Sequence, residues 1–281
     1  MQFIYAIILG IIEGITEFLP ISSTGHLILF GRWLPLEPKE FANAFMIIIQ
    51  LGAILSVIVL YWNRLNPFKL NLATGQTNLK GRLSDAWDNR DKSILRLWAK
   101  VIIAVLPAAV LGFLLDDWID AKLFSWKVVV AMLIVWGTII IAIEKKNPTP
   151  VWIPKVSNIS YKMAFVIGLF QCLAMVPGTS RSAATVMGGI LLGVSRTAAA
   201  EFSFFLAIPT MLGATLLKLI KLGSGFSFVQ WMVILVGFLV SFLVAYLVIK
   251  KFMEYIKSHD FIPFGIYRII LGIIILIFSI V

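Results

Sequence analysis

The sequence is poor in cysteine, histidine and charge. Its 281 residues include one cysteine and two histidines, and only 14% are charged. Cys172 cannot form an internal disulfide, so it does not indicate a redox compartment. The hydrophobic share of 60% and the mean hydropathy of +0.98 exceed those of a soluble domain, in which about half of the residues are apolar. A soluble protein is therefore excluded.

Basic residues outnumber acidic ones, with 24 Lys and Arg against 14 Asp and Glu and a net charge of +10. In a soluble protein this excess would indicate nucleic-acid binding. Here the basic residues lie in the loops between apolar blocks and do not form one continuous patch. Because positive loops are typical of membrane topology, we predict a polytopic, all-α membrane protein with no nucleic-acid partner.

Six apolar stretches are long enough to cross a bilayer, whose hydrocarbon core of ~30 Å takes about 20 helical residues. Backbone polar groups in lipid must be satisfied within the chain, so each stretch is predicted to be a helix. The six are Phe41–Trp62, Ile94–Leu115, Leu123–Ile143, Thr197–Leu217, Phe226–Ile249 and Phe261–Val281.

Two further regions, Met1–Leu34 and Met163–Val194, each consist of an apolar run, a polar break and a second apolar run that is too short to span. This pattern predicts a re-entrant helical hairpin, which is tolerated where it is buried in protein or lines a wet cavity. The alternative is a single kinked spanning helix. With hairpins that return to their own side, most Lys and Arg lie inside and both termini lie outside, as the positive-inside rule requires.

The order of one hairpin followed by three spans occurs twice, which predicts an inverted repeat within a single membrane domain, 1–281. The repeats are 1–143 and 161–281, joined by a loop at 144–160. A gapped alignment pairs Gly10 with Gly168, Pro20 with Pro177 and Ser23 with Ser180, and "QLGAIL" resembles "MLGATL" downstream. Inverted repeats with broken helices place the functional site near the bilayer midplane, so the two breaks are expected to face each other.

The first break, "EGITEFLPISSTGH", carries acid–base chemistry. Glu13 and Glu17 are four residues apart and so lie on one helix face, where a buried carboxylate pair suits either proton transfer or a divalent cation. A serine after Pro20 is placed to cap the next helix. Either Ser22 or Ser23 would be that cap, and the other hydroxyl, beside two carboxylates and the imidazole of His26, is predicted to be functional together with His26.

The second break, "PGTSRSAAT", has the features of an anion receptor. Gly178 permits a tight backbone, Ser180 or Ser182 can cap the following helix, and Arg181 brings a fixed positive charge to membrane depth. A helix N-terminus beside hydroxyls and a guanidinium binds phosphate. The simpler alternative is that Arg181 only neutralises Glu13 or Glu17, and the two roles are compatible.

The two breaks together predict a phosphate ester or anhydride with a lipid tail as the substrate. A secondary transporter or lipid flippase is the alternative, because transporters also use inverted repeats, broken helices and buried carboxylates. Pure transport, however, needs no hydroxyl–histidine arrangement, so the breaks favour an enzyme.

The two breaks resemble those of a known family. "EGITEFLPISSTGH" together with "PGTSRSAAT" closely resembles the undecaprenyl-diphosphate phosphatase family of the bacitracin-resistance type, and the resemblance covers essentially the whole chain. It implies hydrolysis of undecaprenyl diphosphate to the monophosphate carrier and phosphate at the outer face of the bacterial cell membrane. That reaction recycles the lipid carrier for peptidoglycan synthesis and confers bacitracin resistance.

The resemblance also implies roles for residues in both breaks. It places the acidic motif on Glu13 and Glu17, the catalytic serine and histidine on Ser23 and His26, and phosphate binding on Arg181. It brings a divalent cation, Mg or Ca, which Glu13 and Glu17 would hold. The predicted phosphate-binding set further includes Gly178, Ser180, Ser182 and Thr24. Ala183 stands at a position where the family's motif would have glycine. The oligomeric state stays open, and a homodimer is one possibility.

Two charged residues, Glu201 and Arg268, lie within predicted spans, about one and two turns from the inner end. Both are expected to reach toward the membrane surface with their charged groups. The long polar segment Asn63–Ser93 is expected to be a solvated connection on the inner face.

Overall fold

The computed structural model describes residues 1–31, 33–68, 90–123, 125–146, 151–222 and 225–280, with the backbone alone at 116, 117, 120, 217–222 and 278–280. Within these ranges every regular element is a helix, apart from an isolated bridge between Ile153 and Val194. The protein is therefore an all-α polytopic membrane protein, as predicted. Most of the predicted solvated segment 63–93, and residues 147–150 of the connecting loop, lie outside the described residues.

The described residues of the first half of the chain form six helices. They are α1 (Gln2–Thr16), α2 (Ser23–Gly31), α3 (Lys39–Leu60), α4 (Trp62–Leu65), α5 (Lys92–Leu123) and α6 (Trp126–Lys146). The described residues of the second half form five α-helices and a 3₁₀ helix at Val156–Asn158. The five α-helices are α7 (Tyr161–Cys172, extended by a 3₁₀ turn at Leu173–Met175), α8 (Arg181–Leu191), α9 (Arg196–Leu222), α10 (Phe228–Tyr255) and α11 (Ile262–Ile280).

Within the described ranges, five helices are long and apolar enough to cross a membrane. They are α3, α5, α6, α9 and α10. The sixth predicted span corresponds to α11, whose described apolar part, Ile262–Ile277, is shorter than a full span. Both hairpin regions form separate helices, and neither α1 nor α2 is long enough to span: they have 15 and 9 residues.

Helix α10 shows how the sequence distributes residues between lipid and protein. Leu239, Leu243 and Leu247 follow one another at intervals of four and are 47%, 59% and 59% exposed. The opposite face carries Gly237, Ser241 and Ala245, which are buried. Small residues let helix backbones approach closely inside a membrane protein, and the leucines cover the outer surface.

Each polar break begins the next helix in the same way. Ser22 and Ser180 both have φ of 72°, and each side chain accepts a hydrogen bond from the N–H three residues later, at Gly25 and Ala183. The structural counterpart of Ser180 is therefore Ser22, one residue before the Ser23 that the gapped alignment paired with it. In this register Ser23 corresponds to Arg181, because each is the first residue of its helix.

Corresponding helices of the two halves pack in the same way. Helix α1 packs on α10 as α7 packs on α5, and α3 packs on α10 as α9 packs on α5. The paired glycines serve the same purpose: a Cβ on Gly10 would lie 2.7 Å from the carbonyl oxygen of Gly237, and one on Gly168 would lie 2.2 Å from that of Ala104. This symmetry is what an inverted repeat requires, and the bounds of the two repeats stay a prediction.

Candidate active site

The two breaks line one cavity of about 170 Å³. Gln50 of α3 and Met211 of α9 also line it, and each lies near the middle of a helix long enough to span the bilayer. These two residues begin the "QLGAIL" and "MLGATL" stretches that resemble each other. The remaining lining residues are Glu17, Ser22, Ser23, Thr24, Ala174, Pro177, Gly178, Ser180 and Arg181.

A second cavity, of about 350 Å³, is larger but chemically less suited to catalysis. It lies between the ends of α3 and α10 and is lined by Tyr61, Lys250, Glu254 and Lys257 among others. It brings no serine hydroxyl to a carboxylate, and none of the predicted site residues lines it. The smaller cavity between the breaks is therefore the candidate active site.

Glu17 and Ser23 form a carboxylate–hydroxyl pair at the wall of this cavity. The Oγ of Ser23 donates to Oε2 of Glu17 over 2.7 Å, and Glu17 is 8% exposed. The break creates the pair, because α1 ends just before Glu17 and α2 begins at Ser23. A buried carboxylate in this position is ready to accept the serine proton when the hydroxyl attacks an electrophile.

Arg181 joins the second break to the first. Its Nη2 donates to Oε1 of Glu17 over 3.3 Å, and its Nη1 donates to the carbonyl oxygen of Ser203 on α9 over 2.8 Å. The Oγ of Ser203 accepts from the hydroxyl of Thr185 over 2.7 Å, which fixes the far side of the guanidinium. Glu17 thus lies between the serine and the arginine, as the neutralising role of Arg181 predicts, and the arginine also lines the cavity.

Two helix N-termini open at the same cavity, through Ser23 and Thr24 of α2 and Arg181 of α8, and no hydrogen bond among the described residues uses the backbone N–H of these three. In α2 the first capped N–H belongs to Gly25, so those of Ser23 and Thr24 precede the hydrogen-bonded turns. In α8 the first capped N–H belongs to Ala183, so those of Arg181 and Ser182 precede them. Such N–H groups and the helix dipole favour a bound anion.

The hydroxyls of Ser180 and Ser182 hold the second break together. The Oγ of Ser182 donates to the carbonyl oxygen of Leu19 over 2.9 Å. Since that donation uses its only proton, the 3.0 Å contact between the two hydroxyls is a donation from Ser180. Ser182 is fully buried and Ser180 caps α8. Neither hydroxyl is therefore free to donate to a phosphate, whereas the backbone N–H groups and Arg181 at this break are candidate donors.

Gly178 is required by its surroundings. Its φ is +91°, and a Cβ there would lie 2.6 Å from the carbonyl oxygen of Val129 on α6. Any larger residue at this position would be strained, because of both the backbone conformation and the close approach of the Val129 carbonyl. The tight turn that results lets the second break meet the first.

Glu13 lies one turn before Glu17 and is fully buried. In the part of the chain that the structure describes, neither of its carboxylate oxygens accepts a hydrogen bond. A cation or a proton on Glu13 would satisfy this buried carboxylate, because Arg181 pairs with Glu17 and the buried Arg268 donates to carbonyl oxygens of both breaks. A divalent cation held by the two carboxylates stays a prediction, because the described residues contain no group of three or more His, Cys, Asp and Glu side chains placed to hold one.

His26 does not line the cavity. Its Nδ1 lies 2.8 Å from the carbonyl oxygen of Ser22, and its Nε2 lies 2.6 Å from the hydroxyl of Tyr267 on α11. Both ring nitrogens are thus engaged with groups other than the Ser23 hydroxyl. The structure brings together Glu17, Ser23 and Arg181, whereas His26 contacts the Ser22 carbonyl and does not line the cavity.

Arg268 is fully buried, so the expectation that it reaches the membrane surface is wrong. Its guanidinium donates to the carbonyl oxygen of Pro20 in the first break and to those of Gly178 and Thr179 in the second, at 3.2, 2.7 and 3.0 Å. A fourth donation reaches Met132 of α6. An arginine within an apolar helix was the sequence signal for a buried functional residue. The sequence could not show its partners, because they lie far away along the chain.

Glu201 is buried too, and it forms an ion pair with Arg64. A second pair, between Arg196 and Glu144, joins the start of α9 to the end of α6. Because buried carboxylates need partners, these pairs explain why acidic residues are tolerated within the spans. Neither pair lies at the candidate site.

These observations define an integral membrane protein of helices, in which a serine–carboxylate pair, an arginine and two helix N-termini meet at one cavity. Residues 6–274 match the family described as "Bacitracin resistance protein BacA". The chain belongs to this family.

Individual relatives cover nearly the whole chain. It is 50% identical over 277 residues to "Undecaprenyl-diphosphatase 1" of Clostridioides difficile, covering 98% of this chain and 96% of that protein. It is 51% identical over 284 residues to "Undecaprenyl-diphosphatase" of Lactobacillus delbrueckii subsp. bulgaricus, covering 98% and 97%. It is 44% identical over 286 residues to the Enterococcus faecalis protein of the same name, covering 99% and 98%.

Proposed function

We propose that this protein hydrolyses undecaprenyl diphosphate to undecaprenyl phosphate and inorganic phosphate. The observation that carries the proposal is the hydrogen bond from Ser23 to Glu17 in a cavity that also presents Arg181 and two helix N-termini. The relatives' names and the family support the same substrate. Hydrolysis would recycle the lipid carrier for peptidoglycan synthesis and confer bacitracin resistance.

The terminal phosphate binds to the unpaired N–H groups that open α2 and α8. Arg181, already within 3.3 Å of Glu17, turns its fork toward the phosphate oxygens when the anion enters. The isoprenoid chain remains in the bilayer, which explains why the site lies near the middle of membrane-spanning helices. Positioning and charge stabilisation are the main requirements of phosphoryl transfer.

Ser23 attacks the terminal phosphorus while Glu17 accepts its proton. The new bond joins Oγ to phosphorus, the bridging phosphorus–oxygen bond breaks, and undecaprenyl phosphate leaves. Glu17 then passes the serine proton to the departing undecaprenyl phosphate and is again a carboxylate. Water attacks the phosphoserine phosphorus and gives a proton to Glu17, the bond between phosphorus and Oγ breaks, and the serine oxygen takes that proton back from Glu17 as phosphate leaves. Direct attack by water activated by Glu17 is the alternative, and trapping phosphorylated Ser23 distinguishes the two.

A divalent cation, Mg or Ca, is part of the proposal. Glu13 and Glu17 would hold it, because the Glu13 carboxylate is buried without a hydrogen-bond partner in the described structure. When bound, the cation neutralises charge on the carboxylates and on the diphosphate. Glu17 keeps its role toward the serine proton.

The proposed location is the bacterial cell membrane, with the site open to the outer side. The support is the charge distribution, since Arg64, Arg196, Lys250 and Lys257 lie at the same ends of the helices. Positively charged ends face the cytoplasm. A homodimer is a further prediction, which light scattering of the detergent-solubilised protein would check.

Phosphate release from undecaprenyl diphosphate in detergent, with no membrane gradient, tests the proposed function. We expect release by the unmodified chain, loss in Ser23→Ala, and no change in Ser157→Ala, whose side chain is exposed and remote from the cavity. Mass spectrometry after an acid quench would detect phosphorylated Ser23. Near-normal turnover by Ser23→Ala would refute the nucleophile, and lipid transfer across vesicles without hydrolysis would favour a transporter.

A further inference from the structure

The environment of His26 determines which ring nitrogen carries the proton. A carbonyl oxygen only accepts hydrogen bonds, so the 2.8 Å contact with Ser22 requires the proton on Nδ1. In the neutral ring Nε2 is then an acceptor, and the Tyr267 hydroxyl at 2.6 Å must be its donor. The two rings lie nearly parallel, at 6° with centroids 5.6 Å apart.

The carbonyl that His26 holds belongs to the residue on which the active-site turn depends. Ser22 has φ of 72°, a conformation that is costly for a residue other than glycine. Its side chain caps α2 at Gly25 while its carbonyl accepts from the imidazole. The next residue is Ser23, whose hydroxyl reaches Glu17. The orientation of the imidazole therefore bears directly on the direction of the serine hydroxyl.

Helix α11 supplies the outer end of this chain of contacts. Tyr267 binds His26, and the next residue, Arg268, binds the carbonyl oxygen of Pro20 on the other side of the same break. Tyr267 itself is 43% exposed, so its hydroxyl contact, and not burial of its ring, is its specific contribution here.

We propose that Tyr267 is a positioning residue: its hydroxyl donates to Nε2 of His26, keeps the proton on Nδ1, and so holds the Ser22 carbonyl and the turn that delivers Ser23 to Glu17. The proposal rests on the proposed phosphatase activity. It assigns His26 to support of the serine, and the serine proton goes to Glu17.

The chain is well suited to a spectroscopic test, because it contains only two histidines, His26 and His259. The protein would be labelled with ¹⁵N-histidine in detergent micelles, and His259→Gln would assign the signals. In the unmodified chain we expect His26 to show a protonated Nδ1 and a hydrogen-bonded acceptor at Nε2. In Tyr267→Phe the Nε2 signal moves to the position of an unbonded acceptor, while the His259 signals stay unchanged.

Kinetics on the same variant test the consequence for catalysis. In Tyr267→Phe we expect kcat to fall about ten- to a hundredfold, since small misplacements of a reacting group carry costs of this size. KM for the lipid stays within about twofold, because Arg181 and the N-terminus of α8 make no contact with Tyr267 or His26 and still bind the phosphate. Tyr246→Phe on α10 is the matched control, as its ring contacts Lys250 and lies outside the cavity.

Each outcome decides one part of the proposal. An unchanged His26 spectrum in Tyr267→Phe overturns the hydrogen bond, and a changed spectrum with unchanged kcat overturns the positioning role. A fall in kcat with an equal rise in KM would indicate damage to binding and also contradicts it. If the unmodified chain releases no phosphate, the proposed function fails, while the spectra still decide the contact between Tyr267 and His26.

Discussion

Replacement of Arg268 by methionine tests whether one buried side chain holds the two breaks together. The guanidinium donates to carbonyl oxygens of Pro20, Gly178, Thr179 and Met132 at 2.7 to 3.3 Å. Methionine has a similar length and suits an apolar interior, but it donates no hydrogen bond. Arg268→Met therefore removes the donors and leaves the volume of the side chain largely filled.

The expected cost follows from these four contacts. A buried carbonyl left without a donor costs about 1–3 kcal/mol. Removal of a buried charge recovers part of the desolvation penalty of that charge. We expect a net loss of about 2–4 kcal/mol, which is in the upper range for a single substitution. At about 2–4 °C per kcal/mol for a chain of this size, Tm falls by roughly 5–15 °C.

Thermal unfolding in detergent, followed by tryptophan fluorescence from the nine Trp residues, measures this loss. Phosphate release measured well below the lowered Tm should also fall, because the carbonyls of both breaks lose their shared donor. Arg96→Met is the matched control: Arg96 is exposed and bonds only within its own helix among the contacts described. A Tm within about 2 °C of the unmodified chain together with full activity would refute the reasoning.

Three other substitutions address the phosphate receptor and the cation. Arg181→Lys keeps the charge but loses the forked guanidinium that reaches both Glu17 and the Ser203 carbonyl. The kcat/KM for phosphate release should therefore fall about ten- to a hundredfold. A change within twofold would contradict the role of Arg181 in binding the phosphate. Gly178→Ala should lower Tm by several degrees, because the positive φ and the nearby Val129 carbonyl would strain an alanine there. Gly213→Ala is the control and should not lower Tm, because a Cβ at Gly213 meets open space. Equal Tm values for the two variants would argue against strain at the break. Glu13→Gln should shift the Mg titration of activity to at least about tenfold higher concentration, and an unchanged titration would exclude Glu13 as a cation ligand.

Sequence reasoning predicted the helices well, because their signal is local. A run of about 20 apolar residues must be helical in lipid, so the predicted spans match α3, α5, α6, α9 and α10 to within a few residues at most ends. Both polar breaks were also evident, because Pro20 and "PGTS" interrupt apolar runs. The family motifs further identified Glu17, Ser23 and Arg181, which the structure brings together.

The register of the two halves could not be obtained from the sequence. Apolar segments align almost equally well with or without a gap, and the gapped alignment paired Ser23 with Ser180. Only the backbone shows that Ser22 and Ser180 share the same φ and the same capping contact. That register places Ser23 and Arg181 at equivalent first positions of the helices that open onto the cavity.

The contacts of α11 depend on tertiary packing alone. Tyr267 and His26 are 241 residues apart, and Arg268 and Pro20 are 248 residues apart. Hydropathy describes how each segment meets the bilayer, and it carries no information about which buried donor faces which carbonyl. The chain therefore specifies its helices, its breaks and the types of reactive group through local sequence. Which of those groups meet, and that Arg268 lies in the interior, follow from how α11 packs against both breaks.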